Sequence, residues 1–293
     1  LMSISVPVWF IIAVVNPSGL AIAGGVAVWT AFANGARGRI DFDWQFSRLD
    51  QALFAAGWVA MVLPRRDGLV YGAVVVALAI LIFDVGVGHF RRSFRPATWA
   101  AIAVSTLATL AWAARSSSSS SKLLFIAPLA PVAAIGARWV WRRAATVNGG
   151  RPIAAVSGAA VLGIGSFVAM STRVAGFDGT ALQRAIGQTG IDLREVIGII
   201  GWLDTAVPQS MVFLWLIGLG ILVAGAVLAD RRRTWIGALA VLATGIWLSW
   251  VLTMVQNDES GSYWQGRYYL PLLVGVPIVL STARIERRHA VRL

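Results

Sequence analysis

The sequence predicts an all-α fold, a polytopic transmembrane helical bundle of about ten spans with an amphipathic helix on its outer surface. Hydrophobic residues make up 58% of the 293 residues and charged residues 13%, which is too apolar for a soluble domain of this length. Short polar loops divide the apolar stretches, and 14 tryptophans can anchor them at the membrane surface. The predicted spans are 2-15, 18-34, 50-63, 69-84, 97-114, 123-141, 152-171, 211-229, 234-255 and 269-283.

The lengths of these spans differ along the chain. An α-helix needs about 20 apolar residues to cross the hydrocarbon. The late spans 211-229 and 234-255 meet that length, whereas we expect the shorter early spans to be tilted or partly re-entrant helices sheltered by their neighbours. The stretch Leu1–Val15 opens inside apolar sequence without the basic region of a signal peptide, so we expect it to be the end of a longer helix.

The positions of the arginines predict the orientation. Lys and Arg are retained on the cytoplasmic side during insertion. Most of the 25 basic residues fall in the loops after spans two, four, six, eight and ten, so both termini are predicted to face the cytoplasm. The chain then forms one transmembrane domain, 1-293, of the cytoplasmic membrane, and its longest polar segments, 172-210 and 256-268, face outward.

The charge and the residue types exclude several classes of function. The net charge of +12 follows the topology and forms no basic stripe interleaved with stacking aromatics, so we expect membrane lipid and no nucleic acid as a partner. The absence of cysteine excludes disulfides and thiolate metal sites. His89 and His289 lack metal-ligand spacing and are interpreted as interfacial residues. The sequence does not indicate an oligomeric state.

Two proline-containing turns and a polyserine segment lie in the predicted outer loops. The turn Asn16–Gly19 predicts a tight reversal, either an ordinary turn or a re-entrant turn that lines a cavity. The turn Pro64–Gly68 puts Arg65 and Arg66 on the outer side, against the general charge bias, and favours an anionic partner there. The serines at 116-121 predict a flexible outer loop.

The outer segment 172-210 contains the predicted amphipathic helix, between Gly179 and Gly201, which lies on the membrane surface or against the bundle. A break at Gly187 or Gly190 is left open. The apolar positions that recur at helical spacing are Leu182, Ile186, Leu193, Ile197 and Ile200, and the polar positions between them are Gln183, Arg184, Gln188, Asp192, Arg194 and Glu195.

Asp204 lies just after this helix, at the mouth of the next span. In one interpretation, Asp204 or Thr205 caps the helix that follows. In the other, Asp204 is a carboxylate in a cavity at membrane level, where it acts as a general base or a metal ligand. Trp202 is suited to the interface beside it.

Arg267 lies between aromatic residues at the end of the second outer loop, 256-268. Arginine can bind a phosphate at two points, and Gly266 would let the backbone approach a ligand. The alternative is an interfacial aromatic belt in which Arg267 snorkels to the surface or pairs with Asp204. The substrate-binding residues predicted on these segments are Arg267, Trp202, Trp264, Tyr268 and Gln265.

Three motifs resemble the signatures of the bacterial membrane-protein family called domain of unknown function 2142, in the same order and over nearly the whole chain. The family is similar in architecture to the C-type glycosyltransferases, polytopic enzymes that take a sugar from a polyprenyl-phosphate donor on the outer face. The motifs are Asn16–Leu20, Gly201–Thr205 with Pro208, and Gln265–Tyr268 with Leu270–Pro271.

The chain departs from the family pattern in two places. Ala21 stands where the family tends to have Glu, and the additional helix and acidic, proline-rich loop of the family do not precede Leu1. We therefore expect either a fragment of a longer protein or a divergent member that binds without catalysing.

The resemblance implies a membrane protein that handles a polyprenyl-phosphate-linked sugar for cell-envelope glycan assembly and, if it is an enzyme, a C-type lipid-linked glycosyltransferase. In that mechanism Asp204 activates an acceptor hydroxyl or holds a divalent metal ion, and Arg267 neutralises the donor phosphate. Trp202, Trp264 and Tyr268 stack on sugar or prenyl. The alternatives are a transporter or flippase of a lipid-linked intermediate and a non-catalytic assembly subunit.

The predicted orientation can be tested by cysteine labelling, because the chain has no cysteine of its own. A cysteine at Ser118 or Ser262 is expected to react with an impermeant maleimide added to intact cells, whereas one at Thr234 or Ala290 is not. Labelling at Ala290 from outside would reverse the orientation.

Overall fold

The fold is known from a computed structural model that describes residues 17–37, 46–65, 68–115, 127–144, 179–200, 205–228, 232–256 and 268–282. Over these residues the protein is helical apart from one pair of two-residue strands. The elements are α1 (Pro17–Arg37), α2 (Arg48–Val62), α3 (Gly68–Phe83), α4 (Val87–Ser93), α5 (Pro96–Ala114), α6 (Leu129–Ala144), α7 (Gly179–Gly198), β1 (Ile199–Ile200), β2 (Thr205–Ala206), α8 (Gln209–Leu228), α9 (Arg232–Gln256), α10 (Leu270–Leu273) and α11 (Gly275–Ser281).

Every predicted span that reaches the described residues coincides with helix, which confirms the helical membrane bundle. Within those residues, three helices are long and apolar enough to cross a membrane alone, in α1, α8 and α9. A fourth crossing results if α3 and α4, which are bent by 106° relative to each other, form one broken span. α1 is longer than its predicted span. The predicted spans 2-15 and 152-171, and the polyserine segment, lie outside the described residues.

Helix α1 lies at the centre of the described bundle. Of the 18 most apolar consecutive residues of α1, 61% are buried inside the protein, compared with 11% of the corresponding residues of α8. Its neighbours are α2, α3, α10 and α11. α8 exposes large apolar side chains such as Phe213, Leu214 and Ile217, and a bilayer would cover that surface.

Two consecutive glycines let α1 approach two neighbours closely. A Cβ on Gly24 would lie 2.8 Å from the backbone nitrogen of Met61 in α2, and a Cβ on Gly25 would collide with the carbonyl oxygen of Pro271 in α10. Conversely, a Cβ on Gly57 of α2 would lie 2.8 Å from the Gly24 carbonyl oxygen. Small residues at a crossing bring backbones together, and such packing is a main source of helix association in membranes.

An aromatic cluster closes the bundle about two helical turns further along α1. The Phe32 ring centre lies 5.6 Å from those of both Phe46 and Phe54 and 6.0 Å from that of Phe90, all edge to face. The Phe83 ring stacks on it at 6.4 Å. Edge-to-face aromatic pairs stabilise a core beyond the area that they bury. The cluster therefore ties α1 to α2, α3 and α4.

The start of α2 is fixed by a capping box, which explains the boundary near the predicted position 50. The Asp50 backbone N–H donates to Ser47 Oγ over 3.1 Å, and the Ser47 N–H donates back to the Asp50 carboxylate over 3.1 Å. The Asn34 side chain of α1 donates to the same carboxylate over 3.0 Å. The buried Asp50 side chain is thus hydrogen-bonded to both helices.

Helix α7 confirms the predicted amphipathic helix and runs unbroken through Gly187 and Gly190. Leu193 packs against the core as predicted, but two other positions differ from the prediction. Ile186, assigned to the apolar face, is 49% exposed, whereas Asp192, assigned to the polar positions, is only 6% exposed. The reason is a hydrogen bond across the bundle to Tyr269, which no periodicity of apolar residues can reveal.

The loop expected between the spans 69-84 and 97-114 also contains more structure than predicted. Helix α4 lies there and carries Arg91 and Arg92 in its last turn. Arginines near a helix C-terminus interact favourably with the helix dipole. The basic residues expected in a loop are therefore held on a short helix.

The glycine contact of α1 leads to a stability prediction. Gly25→Ala puts a methyl group against the Pro271 carbonyl, so the helices must shift, and we expect a loss of about 1–3 kcal/mol in the free energy of unfolding. Thermal unfolding in detergent measures it. Gly220→Ala in α8 is the matched control, because a Cβ there would meet nothing within 4 Å. Equal stability of the two variants would contradict the proposed role of the contact.

Candidate functional site

Three segments that are distant in sequence meet around the Arg65 side chain. Arg65 Nη1 donates to Ser18 Oγ over 2.8 Å, and Arg65 Cζ lies 4.0 Å from the centre of the Tyr268 ring. A guanidinium over an aromatic face is an attractive cation–π contact. Arg65 therefore ties the start of α1 to the residue before α10.

The local sequence explains why these side chains lie at the end of the bundle. Pro17 is suited to the first turn of α1 because it has no N–H to leave unpaired, and Ser18 follows it in that turn. Pro64 cannot continue α2, which ends at Val62, so Arg65 lies in the short turn before α3. We call this end of the bundle the Arg65 end.

A buried carboxylate lies beside this cluster. Tyr269 Oη donates to Asp192 Oδ2 of α7 over 2.8 Å, and both side chains are buried. Burial raises the pKa of Asp192 to about 6, and the neighbouring Glu195 also raises it, whereas the hydrogen bond from Tyr269 lowers it. A carboxyl group with this pKa can exchange a proton close to neutral pH.

A second contact holds α7 against α9. Trp250 Nε1 donates to Thr189 Oγ1 over 2.9 Å. Thr189 and Asp192 are three residues apart and share one face of α7. Because Tyr268 and Tyr269 are consecutive, the backbone joins the Arg65 contact to the α7 contacts, and we treat these polar and aromatic residues together. We call them the Arg65 cluster, composed of Ser18, Arg65, Thr189, Asp192, Trp250, Tyr268 and Tyr269.

Most of the predicted site residues lie outside the described part of the chain. They are Asp204, Arg267, Trp202, Trp264 and Gln265. Tyr268 is described, and it belongs to the Arg65 cluster. Strands β1 and β2 pair antiparallel, Ile199 with Ala206 and Ile200 with Thr205, so the chain segments before and after residues 201–204 lie side by side.

The capping interpretation of Thr205 was wrong. Helix α8 begins at Gln209, which puts its N-cap position at Pro208, and the N–H groups of Met211 and Val212 bond to the Pro208 carbonyl. Thr205 lies in β2 instead. The four residues 205–208 are extended or irregular backbone, so Thr205 is too far from the first turn of α8 to cap it.

The sequence predicts some residues of this cluster and does not predict the others. The motifs at Asn16–Leu20 and Gln265–Tyr268 were flagged separately, and the structure brings Ser18 and Tyr268 to the same arginine. Arg65 was flagged by its position against the charge bias. Asp192 and Tyr269 were missed, because a single polar residue in an amphipathic pattern carries no signal of its partner.

The described residues contain no group of three or more His, Asp or Glu side chains that could hold a metal ion. Asp204 lies outside them.

The helices and this cluster define a polytopic α-helical membrane protein with its polar groups gathered at the ends of the bundle. The family described as "Predicted membrane protein (DUF2142)" matches residues 4–276, and the chain belongs to it. No curated protein and no solved structure matched the chain.

The buried Asp192 leads to a prediction about pH. Its pKa is raised in the folded protein to about 6, so the protonated carboxyl contributes stability in acid that is lost as the pH rises through about 6. Asp192→Asn cannot titrate but keeps an oxygen for Tyr269. As the pH rises from about 4 to about 8, the melting temperature of the wild type in detergent should therefore fall more than that of this variant.

Tyr269→Phe provides a second test of the same contact. It removes the hydrogen bond that lowers the pKa of Asp192, so the drop in stability should move to higher pH. Parallel pH profiles for all three proteins would contradict the buried titration of Asp192.

Proposed function

We propose that the Arg65 end binds the phosphate of a polyprenyl-phosphate-linked sugar and that the chain is a C-type, glycosyltransferase-like protein of cell-envelope glycan assembly. The observation that carries the proposal is the position of Arg65 between Ser18 and Tyr268. Each of these residues belongs to one of the family's sequence signatures, and the two signatures are joined by a guanidinium.

The chemistry of arginine supports a phosphate ligand. A guanidinium presents a planar set of donors that matches phosphate, and it stays charged at every physiological pH. Arg267 directly precedes Tyr268, so the chain connectivity puts a second arginine next to the residue that Arg65 contacts. In this proposal Arg267 binds the donor phosphate and Arg65 adds positive charge to the same end of the bundle.

Asp204 is the proposed catalytic residue. As a general base it would take the proton of an acceptor hydroxyl as that oxygen attacks the anomeric carbon of the sugar and the polyprenyl phosphate leaves. In a variant of this proposal, Asp204 would hold a divalent ion, and the ion would assist the departure of the phosphate. Asp192 is a positioning residue, because its carboxylate is buried and accepts from Tyr269.

The aromatic residues complete the proposed site. Trp202 and Trp264 would stack on the sugar or the prenyl chain, and Gln265 would hydrogen-bond the sugar. Tyr268 has a further role that the sequence does not predict, since its ring forms a cation–π contact with Arg65. The proposed binding face is predicted to be the outer one.

The test combines complementation of a deletion strain with transfer of a labelled sugar from polyprenyl phosphate in membranes. Asp204→Asn keeps the size of the side chain and removes the base, so activity should fall by at least about 100-fold at normal protein abundance. Arg267→Lys and Arg65→Lys should also impair it, because an ammonium cannot grip phosphate at two points.

Arg115→Lys is the matched control, because Arg115 is exposed at the C-terminal end of α5 and is not one of the residues of the Arg65 cluster. Full complementation by Asp204→Asn and Arg267→Lys at normal abundance would overturn the mechanism. Binding of the labelled lipid without transfer to any acceptor would favour the flippase alternative.

A further inference from the structure

A cavity of about 330 Å³ opens at the opposite end of the bundle, which we call the Asp84 end. Helix α3, 16 residues long, separates it from the Arg65 end by about 24 Å. One wall is formed by α4 and the turn before it, with Gly86, Gly88 and Arg92. The other wall is formed by α6, with Arg138 and Arg142. Nothing in the proposed function uses these residues.

One carboxylate holds two of the three arginines in place. Asp84 Oδ1 accepts from Arg138 Nε over 2.7 Å, and Asp84 Oδ2 accepts from Arg142 Nη2. Arg138 Nη2 also donates to the Asp84 carbonyl over 3.2 Å. With Arg92, the arginines at the cavity outnumber this carboxylate by two, so the cavity has a positive potential suited to an anion.

The turn between α3 and α4 is shaped for this arrangement. Asp84 has a φ of 59°, in the left-handed region that Asp tolerates better than most residues. A Cβ on Gly86 would lie 2.9 Å from Arg138 Nη1, so a side chain at this position would displace the guanidinium from the backbone. The Gly86 N–H donates to His89 Nδ1 over 2.9 Å, and the same nitrogen lies 3.3 Å from the Gly86 carbonyl oxygen.

The surroundings of His89, which lines the cavity, favour its neutral form. Burial lowers the pKa of His89, and the Arg138 and Arg142 guanidiniums lower it further, against the opposing effects of the Gly86 carbonyl and Asp84. A neutral His89 offers one N–H donor. The positive charge of the cavity therefore comes from the arginines.

Exposed apolar side chains lie near the basic cavity. Val87, which lines it, is 55% exposed, and Trp139, three residues before Arg142 and so on the same side of α6, is 62% exposed. Tryptophan is enriched at the level where helices leave the bilayer. A basic cavity bordered by apolar surface at this level fits a ligand with a charged head and an apolar tail.

We propose that the cavity at the Asp84 end is a binding site for an anionic phospholipid, with its phosphate among Arg92, Arg138 and Arg142. The acyl chains would lie along Val87 and Trp139. Basic pockets between transmembrane helices are suited to anionic headgroups. A soluble phosphate ester shares the phosphate chemistry, but it would leave the apolar border unused.

The test uses the intact protein purified in a neutral detergent and titrated with phosphatidylglycerol, phosphatidylcholine or glycerol 3-phosphate. Native mass spectrometry counts the bound molecules. The double variant Arg92→Gln/Arg142→Gln should lower phosphatidylglycerol affinity by at least about tenfold, since hydrogen bonds to charged groups are lost. Arg138 is left unchanged because its side chain is only 14% exposed where it pairs with Asp84, compared with 56% for Arg142.

The matched control is Arg91→Gln/Arg143→Gln, in which each change is one residue away on the same helix and outside the cavity lining. It should keep its affinity within about twofold, because surface charges contribute little individually. Equal losses in both double variants would overturn the site in favour of general charge attraction, and no loss in either would overturn it outright. Glycerol 3-phosphate binding as tightly as phosphatidylglycerol would overturn the assignment to a lipid.

Discussion

The close contact of α1 with α2 and α10 is the constraint on which the rest of the structure depends. A bilayer offers little hydrophobic driving force between apolar helices, so association depends on tight packing of small residues. Gly24 faces Gly57, and Gly25 faces the Pro271 carbonyl. Consecutive residues point about 100° apart around a helix, so this pair brings two neighbours into contact at once. That geometry puts Ser18, Arg65 and Tyr268 at one end of the bundle.

The two ends of the bundle use arginine in different ways. At the Arg65 end, the guanidinium lies over a tyrosine ring and donates to a serine. At the Asp84 end, one carboxylate holds two guanidiniums beside a cavity. Asp84 cancels part of the positive charge of Arg138 and Arg142 around it. The proposals assign a phosphate to each end of the bundle.

The hydrogen bond from Tyr269 to Asp192 shows how this bundle accommodates a carboxylate between packed helices. Burying a charged group is costly unless it is paired or hydrogen-bonded, and the raised pKa of Asp192 reflects that cost. The bond also sets the rotation of α7, because Asp192 can reach Tyr269 only if Ile186 faces outward. α7 is thereby held in place, and it leads directly into β1, which precedes the predicted catalytic segment.

The sequence by itself determined the class of the protein, the family, the helices and most of their ends, because apolar length, proline and loop charge act locally along the chain. It also flagged Ser18, Arg65 and Tyr268 one at a time. The tertiary structure alone decided that these three meet, that Asp192 is buried and that Arg138 and Arg142 share Asp84. Such pairs join residues tens of positions apart, and only the packing of whole helices can bring them together.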